Sequence, residues 1–217
     1  MAGDIIGQTP DIWGEEYVTD STTVQRDYDT FAAGGRYDET FVEWGYVGPQ
    51  TAAAVMLNYV GLQARVLDAA CGSGLTGTAM HDLGYTRIHG IDISEKLLAL
   101  AEQTGAYEQV TPVDMQVFPL PFEDNEFDAV CFIGALTYFE TPEILRQLCR
   151  IVRPGGHIVF SQRDDIMRDQ SYEENLVNLE REGWWGRVFG TEPMPYLPRH
   201  PKYGTAIKVQ YFVYEVS

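Results

Sequence analysis

The period of apolar and polar positions changes repeatedly along this chain, and from residue 65 onward it alternates between strand and helix. Arg65-Val66-Leu67-Asp68 is a short apolar run closing on an acid, which predicts a first strand. Leu75, Ala79, Met80 and Leu83 then recur at helical spacing, and Gly84 ends that helix. Residues 87–92 form a second strand; Ser94 N-caps the next helix, whose apolar face is Leu97, Leu98 and Ala101, with Gly105 past its end. Residues 109–113 predict a third, weaker strand. Residues 127–133 (FDAVCFI) read as a central strand buried on both faces. Thr141 is the expected N-cap and Pro142 the first residue of a helix burying Ile144, Leu148 and Ile151. Pro154-Gly155-Gly156 turns the chain into HIVFS, the fifth strand. A helix over residues 172–182 and strands near 185–189 and 207–214 complete the series. Upstream, residues 52–59 (AAAVMLNY) predict a helix, whereas residues 1–24 have little periodicity and read as an arm or part of a lid.

Strand and helix in alternation specify an α/β fold with a mostly parallel sheet and helices on both faces. Right-handed crossovers gather the strand-to-helix loops on one edge, where ligands bind. At 217 residues the chain suits one such domain, residues 60–217, forming one structural unit with an N-terminal arm and helical cap over residues 1–59. Composition narrows the picture by exclusion. No apolar run approaches the roughly 20 residues of a membrane span. The N-terminus has no basic region followed by a long apolar stretch, so a cytoplasmic protein is expected. Three cysteines outside any metal-binding spacing argue for a reducing compartment and no metal. A net charge of -17 repels phosphate backbones and anionic headgroups, which disfavours nucleic acid and membrane partners.

The loop after the first strand, Asp68-Ala69-Ala70-Cys71-Gly72-Ser73-Gly74, carries the candidate chemistry. Gly72-Ser-Gly74-Leu-Thr-Gly77 is a literal G-x-G-x-x-G, the dinucleotide fingerprint. In nicotinamide and flavin folds the strand runs almost directly into the first glycine. Here Asp68 closes the strand four residues earlier. An acid there either caps the next helix or holds an ammonium group, which a dinucleotide lacks and S-adenosylmethionine has.

VLDAACGSG is similar to the first motif of the class I S-adenosylmethionine-dependent methyltransferases. Ala70 stands where that family has its first glycine, a place alanine suits if its φ is negative. Further matches follow in the family's order. Asp92, 24 residues after Asp68 (92 − 68), matches the acid that grips both ribose hydroxyls, and Asp114-Met115 looks like the pair flanking adenine. PFEDNEFDAVCFIGAL and VRPGGHIVF resemble the fourth- and fifth-strand motifs, so the resemblance covers roughly residues 60–165. Tyr28-Asp29-x-x-Ala32, Tyr37-Asp38, Trp44-Gly45-Tyr46, residues 134–138 and Pro195-Tyr196-Leu197-Pro198 resemble the Williams–Beuren-region methyltransferase-like branch.

The resemblance implies a Rossmann-like class I fold, a seven-stranded mostly parallel sheet with an antiparallel C-terminal strand and an N-terminal helical cap. It implies S-adenosyl-L-methionine as cofactor, no metal, and in-line methyl transfer to a small-molecule acceptor by a monomer or homodimer. The expected cofactor residues are Tyr28, Tyr37, Asp68, Ala69, Ala70, Gly72, Gly74, Asp92, Ile93, Leu97, Asp114, Met115 and Ile133. Thr137 and Tyr138 are expected beside the reacting centre, with His200 as the one histidine placed to act as a base. Trp44, Tyr46, Tyr196 and Arg199 are expected to close the acceptor pocket. Two other readings stay open: an NAD(P)-dependent oxidoreductase on the three glycines, and a non-catalytic partner subunit of the same fold.

Overall fold

The first predicted strand is β1 (Val66–Ala69), buried along its whole length and lying inside the sheet with a parallel neighbour on each side. The computed structural model describes residues 20–139, 142–169 and 172–217. The expected Thr141 cap, and residues 1–19 of the expected arm, lie outside the described residues.

Strands β2 (Ile88–Asp92), β3 (Gln109–Pro112), β4 (Phe127–Phe132), β5 (Val152–Arg163), β6 (Trp185–Gly190), β7 (Met194–Pro195) and β8 (Lys208–Val216) complete one sheet. Its order is β3-β2-β1-β4-β5-β8-β6, with two-residue β7 paired to β8 off that path. β8 runs antiparallel to both β5 and β6. The expected seven strands thus form the main path, with the antiparallel C-terminal strand inserted between β5 and β6. Strand order reverses between β1 and β4, and at such a switch point the diverging loops open a crevice beyond the strands' C-terminal ends.

Alternating side chains divide the core between two faces. Leu67, Ala69, Val130, Phe132, Ile158 and Phe160 pack with α6 (Glu143–Ile151), α7 (Asp164–Asp169) and α8 (Tyr172–Arg181) on one side. Val66, Ile88, Cys131 and Val159 pack with α3 (Gly48–Met56) and α4 (Leu75–Asp82) on the other. Asp68 shares the α4 face, two residues along β1 from Val66. α5 (Glu95–Gln103) follows β2 and is capped as expected by Ser94, whose Oγ accepts from the Leu97 N–H at 3.2 Å.

Three boundaries differ from the sequence reading. The helix expected over residues 52–59 is α3, which starts earlier because Pro49 fits a first turn that needs no N–H from it. Pro142 is the N-cap of α6 rather than its first residue. Pro154-Gly155-Gly156 lies inside β5, where the register against β4 shifts, instead of preceding the strand.

Part of the segment read as an arm is helical. α1 (Ser21–Ala33) begins at Asp20, whose side chain accepts from the Thr23 N–H at 2.8 Å. α1 and α2 (Tyr37–Glu43) lie over the sheet's C-terminal edge through four polar links. The Gln25 amide donates to the Ile93 carbonyl at 3.0 Å, the Ser94 hydroxyl to Asp29, and the Ser73 hydroxyl to Asp38; the Tyr28 and Tyr138 hydroxyls pair at 2.8 Å.

Candidate functional site

Two connected clefts lie between this cap and the loops following β1, β2 and β4. The first is lined from α1, α2 and all of these loops. At one end stands Asp92, 8% exposed. Its Oδ2 accepts from the Gly72 N–H at 2.9 Å and its Oδ1 from the Ser94 N–H at 2.8 Å. Each oxygen keeps a further lone pair, so the carboxylate can still accept from two hydroxyls. Burial pushes Asp92 up to about 6 against the ordinary 3.8, with the backbone N–H groups of Ser94, Gly72 and Ile93 opposing. Apolar Ile93, Leu97, Val113, Met115 and Phe139 wall the cleft beside Asp114, whose Oδ1 accepts from the Gln116 N–H at 2.9 Å.

The second cleft shares Tyr28, Tyr37, Ala70, Gly72, Ile133 and Gly134 with the first and runs on to Phe41, Tyr46, Thr76 and Tyr196. Burial holds the Tyr28, Tyr37 and Tyr46 hydroxyls well above the usual phenol range, reinforced by the neighbouring phenols, so they are neutral donors.

Ten of the thirteen expected cofactor residues line the first cleft: Tyr28, Tyr37, Ala70, Gly72, Asp92, Ile93, Leu97, Asp114, Met115 and Ile133. Tyr138 lines it too, and Tyr46 and Tyr196 line the second. The rest are placed elsewhere. Ala69 is wholly buried in β1, and Gly74 packs against Ala101 and Tyr107. Thr137 is buried in a 3₁₀ turn, Leu136–Tyr138, behind the cleft surface.

Asp68, 1% exposed, is directed beneath the loop, where its Oδ2 accepts from the Tyr107 hydroxyl at 2.7 Å. Trp44, Arg199 and His200 form a clasp outside both clefts. The Arg199 guanidinium donates to the Val42 carbonyl at 2.7 Å, and the His200 ring stands 4.4 Å from the Trp44 ring. His200 Nδ1 is engaged by the Lys202 and Tyr203 N–H groups, and His200 lines neither cleft.

The sequence reading missed Ser21 and Val24, which line the first cleft from α1. The signal was present: Asp20 is a good N-cap, and Val24, Tyr28 and Phe31 follow at helical spacing. Tyr107 was also missed, and nothing around it in sequence marks it.

Ala70 does not meet the condition set by the sequence. Its φ is +55°, the left-handed region, which costs a non-glycine residue about 1–2 kcal/mol. Ala70→Gly removes that strain but adds roughly 0.5–1 kcal/mol of unfolded-chain entropy. The expected result is a melting temperature higher by about 1–3 °C, read by calorimetry.

Two of the three glycines of the apparent dinucleotide fingerprint border the Tyr107 ring. A Cβ on Gly77 would lie 2.1 Å from that ring and one on Gly74 3.0 Å, and one on Gly90 of β2 2.8 Å. These glycines accommodate an aromatic side chain.

Comparison with known proteins agrees with this geometry. A family model described as a methyltransferase domain matches residues 67–160. Human Methyltransferase-like protein 27 is 30% identical over 125 residues, which are 56% of this chain and 51% of that protein. A demethylmenaquinone methyltransferase from Bacillus licheniformis is 37% identical over 100 residues, 44% of this chain and 43% of that one. The chain therefore spans about half the length of the curated relatives it matches. Among solved structures, a Thermotoga maritima S-adenosylmethionine-dependent methyltransferase, described as a possible histamine N-methyltransferase, superposes with a TM-score of 0.63. It is 13% identical, and the match covers 88% of this chain and 98% of that one. Residues 67–160 are thus similar to a methyltransferase domain, and the chain has the fold of the class I S-adenosylmethionine-dependent methyltransferases.

Proposed function

We propose that this protein is an S-adenosylmethionine-dependent methyltransferase acting on a small-molecule acceptor. The observation that carries the reading is Asp92, a buried carboxylate with both oxygens tied to the loop backbone and spare lone pairs, at the end of a cleft walled by apolar side chains. The donor set fits the group: Asp92 for a cis-diol, Asp114 for an amino group, Val113 and Met115 for an apolar ring, and neutral phenols for the methionine end. When bound, S-adenosylmethionine supplies an activated methyl group on sulfur.

The protein's share of the work is placement. Tyr28, Tyr37 and Gly134, common to both clefts, stand where cofactor and acceptor would meet and align for in-line transfer. α1 closes over the first cleft and excludes water through the Gln25, Tyr28 and Asp29 links. Phe41, Tyr46 and Tyr196 wall the acceptor side, and residues 1–59 act with the domain as one unit.

Titration calorimetry with S-adenosylhomocysteine is expected to give a dissociation constant in the micromolar range. Incubation with methyl-labelled cofactor and fractionated metabolites is expected to label a low-molecular-weight product. No binding of S-adenosylhomocysteine would sink the proposal.

A further inference from the structure

Beneath the cofactor loop lies a polar tie built around Tyr107, in the turn between α5 and β3. Its hydroxyl donates to Asp68 Oδ2 at 2.7 Å and accepts from the Gly77 N–H, in the first turn of α4, at 3.2 Å. One oxygen thus joins the end of β1 to the start of α4, the two points from which residues 70–74 are hung. Room has been made for it. A Cβ on Gly77 or Gly90 would overlap the ring, and one on Gly74 would sit 3.0 Å from it. Gly90 is the register partner of Asp68 on β2, so the ring lies directly beside the carboxylate it serves. Tyr107 itself lines neither cleft.

Resting on the cofactor reading above, we propose that Tyr107 is a positioning residue: its hydroxyl fixes the Asp68 carboxylate and α4, and so sets cofactor affinity without touching the cofactor. Asp68 then acts through the tie rather than by holding the ammonium group directly.

The tie is strongest with an ionised Asp68, because the carboxylate accepts from Tyr107 in a charge-assisted bond that a protonated carboxyl makes only weakly. Burial pushes Asp68 up to about 7, against the Tyr107 hydrogen bond, which lowers it. The other titratable groups facing it are Asp92 from β2, Cys71 from the loop and Cys131 from β4. Burial pushes both thiols well up, so they stay neutral, and Asp92 titrates lower, at about 6.

The test is Tyr107→Phe, which keeps the ring in its slot. In the cofactor-free protein, carbon-13 NMR of the Asp68 carboxyl is expected to show its titration moving upward by at least about half a unit. In calorimetry, S-adenosylhomocysteine affinity of the parent is expected to fall as pH drops through about 7. Tyr107→Phe lacks the tie at every pH, so its affinity should be about tenfold weaker at pH 9, where the parent's tie is complete, and the gap should narrow below pH 7, where the parent loses it too. An unmoved Asp68 titration, or an equal loss of affinity at every pH, overturns the proposal. Failure of the parent to bind at any pH would count against the cofactor reading, and the NMR titration would still decide the tie.

Discussion

Asp92→Ala is expected to bind S-adenosylhomocysteine at least about a hundredfold more weakly than the parent protein, a difference of about 2.7 kcal/mol. Two effects add in that number. The carboxylate is the acceptor proposed for both ribose hydroxyls, and hydrogen bonds to a charged group contribute about 1.5–3 kcal/mol each. It also accepts from the Gly72 and Ser94 N–H groups, so its removal frees the loop that faces the cofactor. Stability and binding should separate. Alanine removes a carboxylate that burial disfavours, so thermal unfolding at pH 8 is expected to change by only a few degrees while binding collapses. Calorimetric titration alongside a melting curve measures both. An affinity within threefold of the parent, on a folded variant, would remove Asp92 from the cofactor site.

The cofactor-free protein is expected to lose stability as pH rises from about 5 to 8, opposite to the common behaviour of acidic groups. Asp68 and Asp92 are held at about 7 and about 6, above the ordinary 3.8 they regain on unfolding. Between those values the folded state binds more protons than the unfolded state, so stability falls with pH. The favourable contribution is complete below the unfolded value and is lost as pH rises through each folded value. At about 1.4 kcal/mol per unit, Asp68 alone corresponds to about 4 kcal/mol. Its repulsion with Asp92 makes the pair less than additive. Asp128, held down chiefly by Arg153, acts in the opposite sense in more acid solution, and His89 and His157, both lowered chiefly by burial, offset part of the fall below about pH 6.5. Melting temperature should therefore peak near pH 5 and fall by roughly 10 °C by pH 8. Asp68→Asn is expected to flatten the upper part of that curve. A melting temperature that is level or rising from pH 5.5 to 8 would contradict the pH argument.

These two carboxylates also mark how far the sequence could be read. Strand existence was legible because parallel strands buried on both faces are written as apolar runs, and residues 66–69, 88–92 and 127–132 are of that kind. The order of the loops was legible for the same reason, and Asp92 and Asp114, singled out by the family resemblance, line the cleft. The helical cap was expected, but the first turn of α1, Ser21–Val24, was read as arm, because a helix with a mostly polar surface gives little contrast at its start.

What the sequence determined by itself was the sheet and the edge on which the cleft opens. The direction of a side chain at the end of a strand was decided only by packing. Period-two alternation sends Asp68 to the face that α4 covers, and there Tyr107, brought back by the turn before β3, takes its oxygen. The same closure sets Ala70 at positive φ, turns Gly77 into space for a ring, and pins Trp44, Arg199 and His200 together outside the clefts. Such contacts join residues tens to over a hundred positions apart. Local periodicity carries no information about them, because each is fixed by the volume and hydrogen-bonding demand of a partner that only the folded chain supplies.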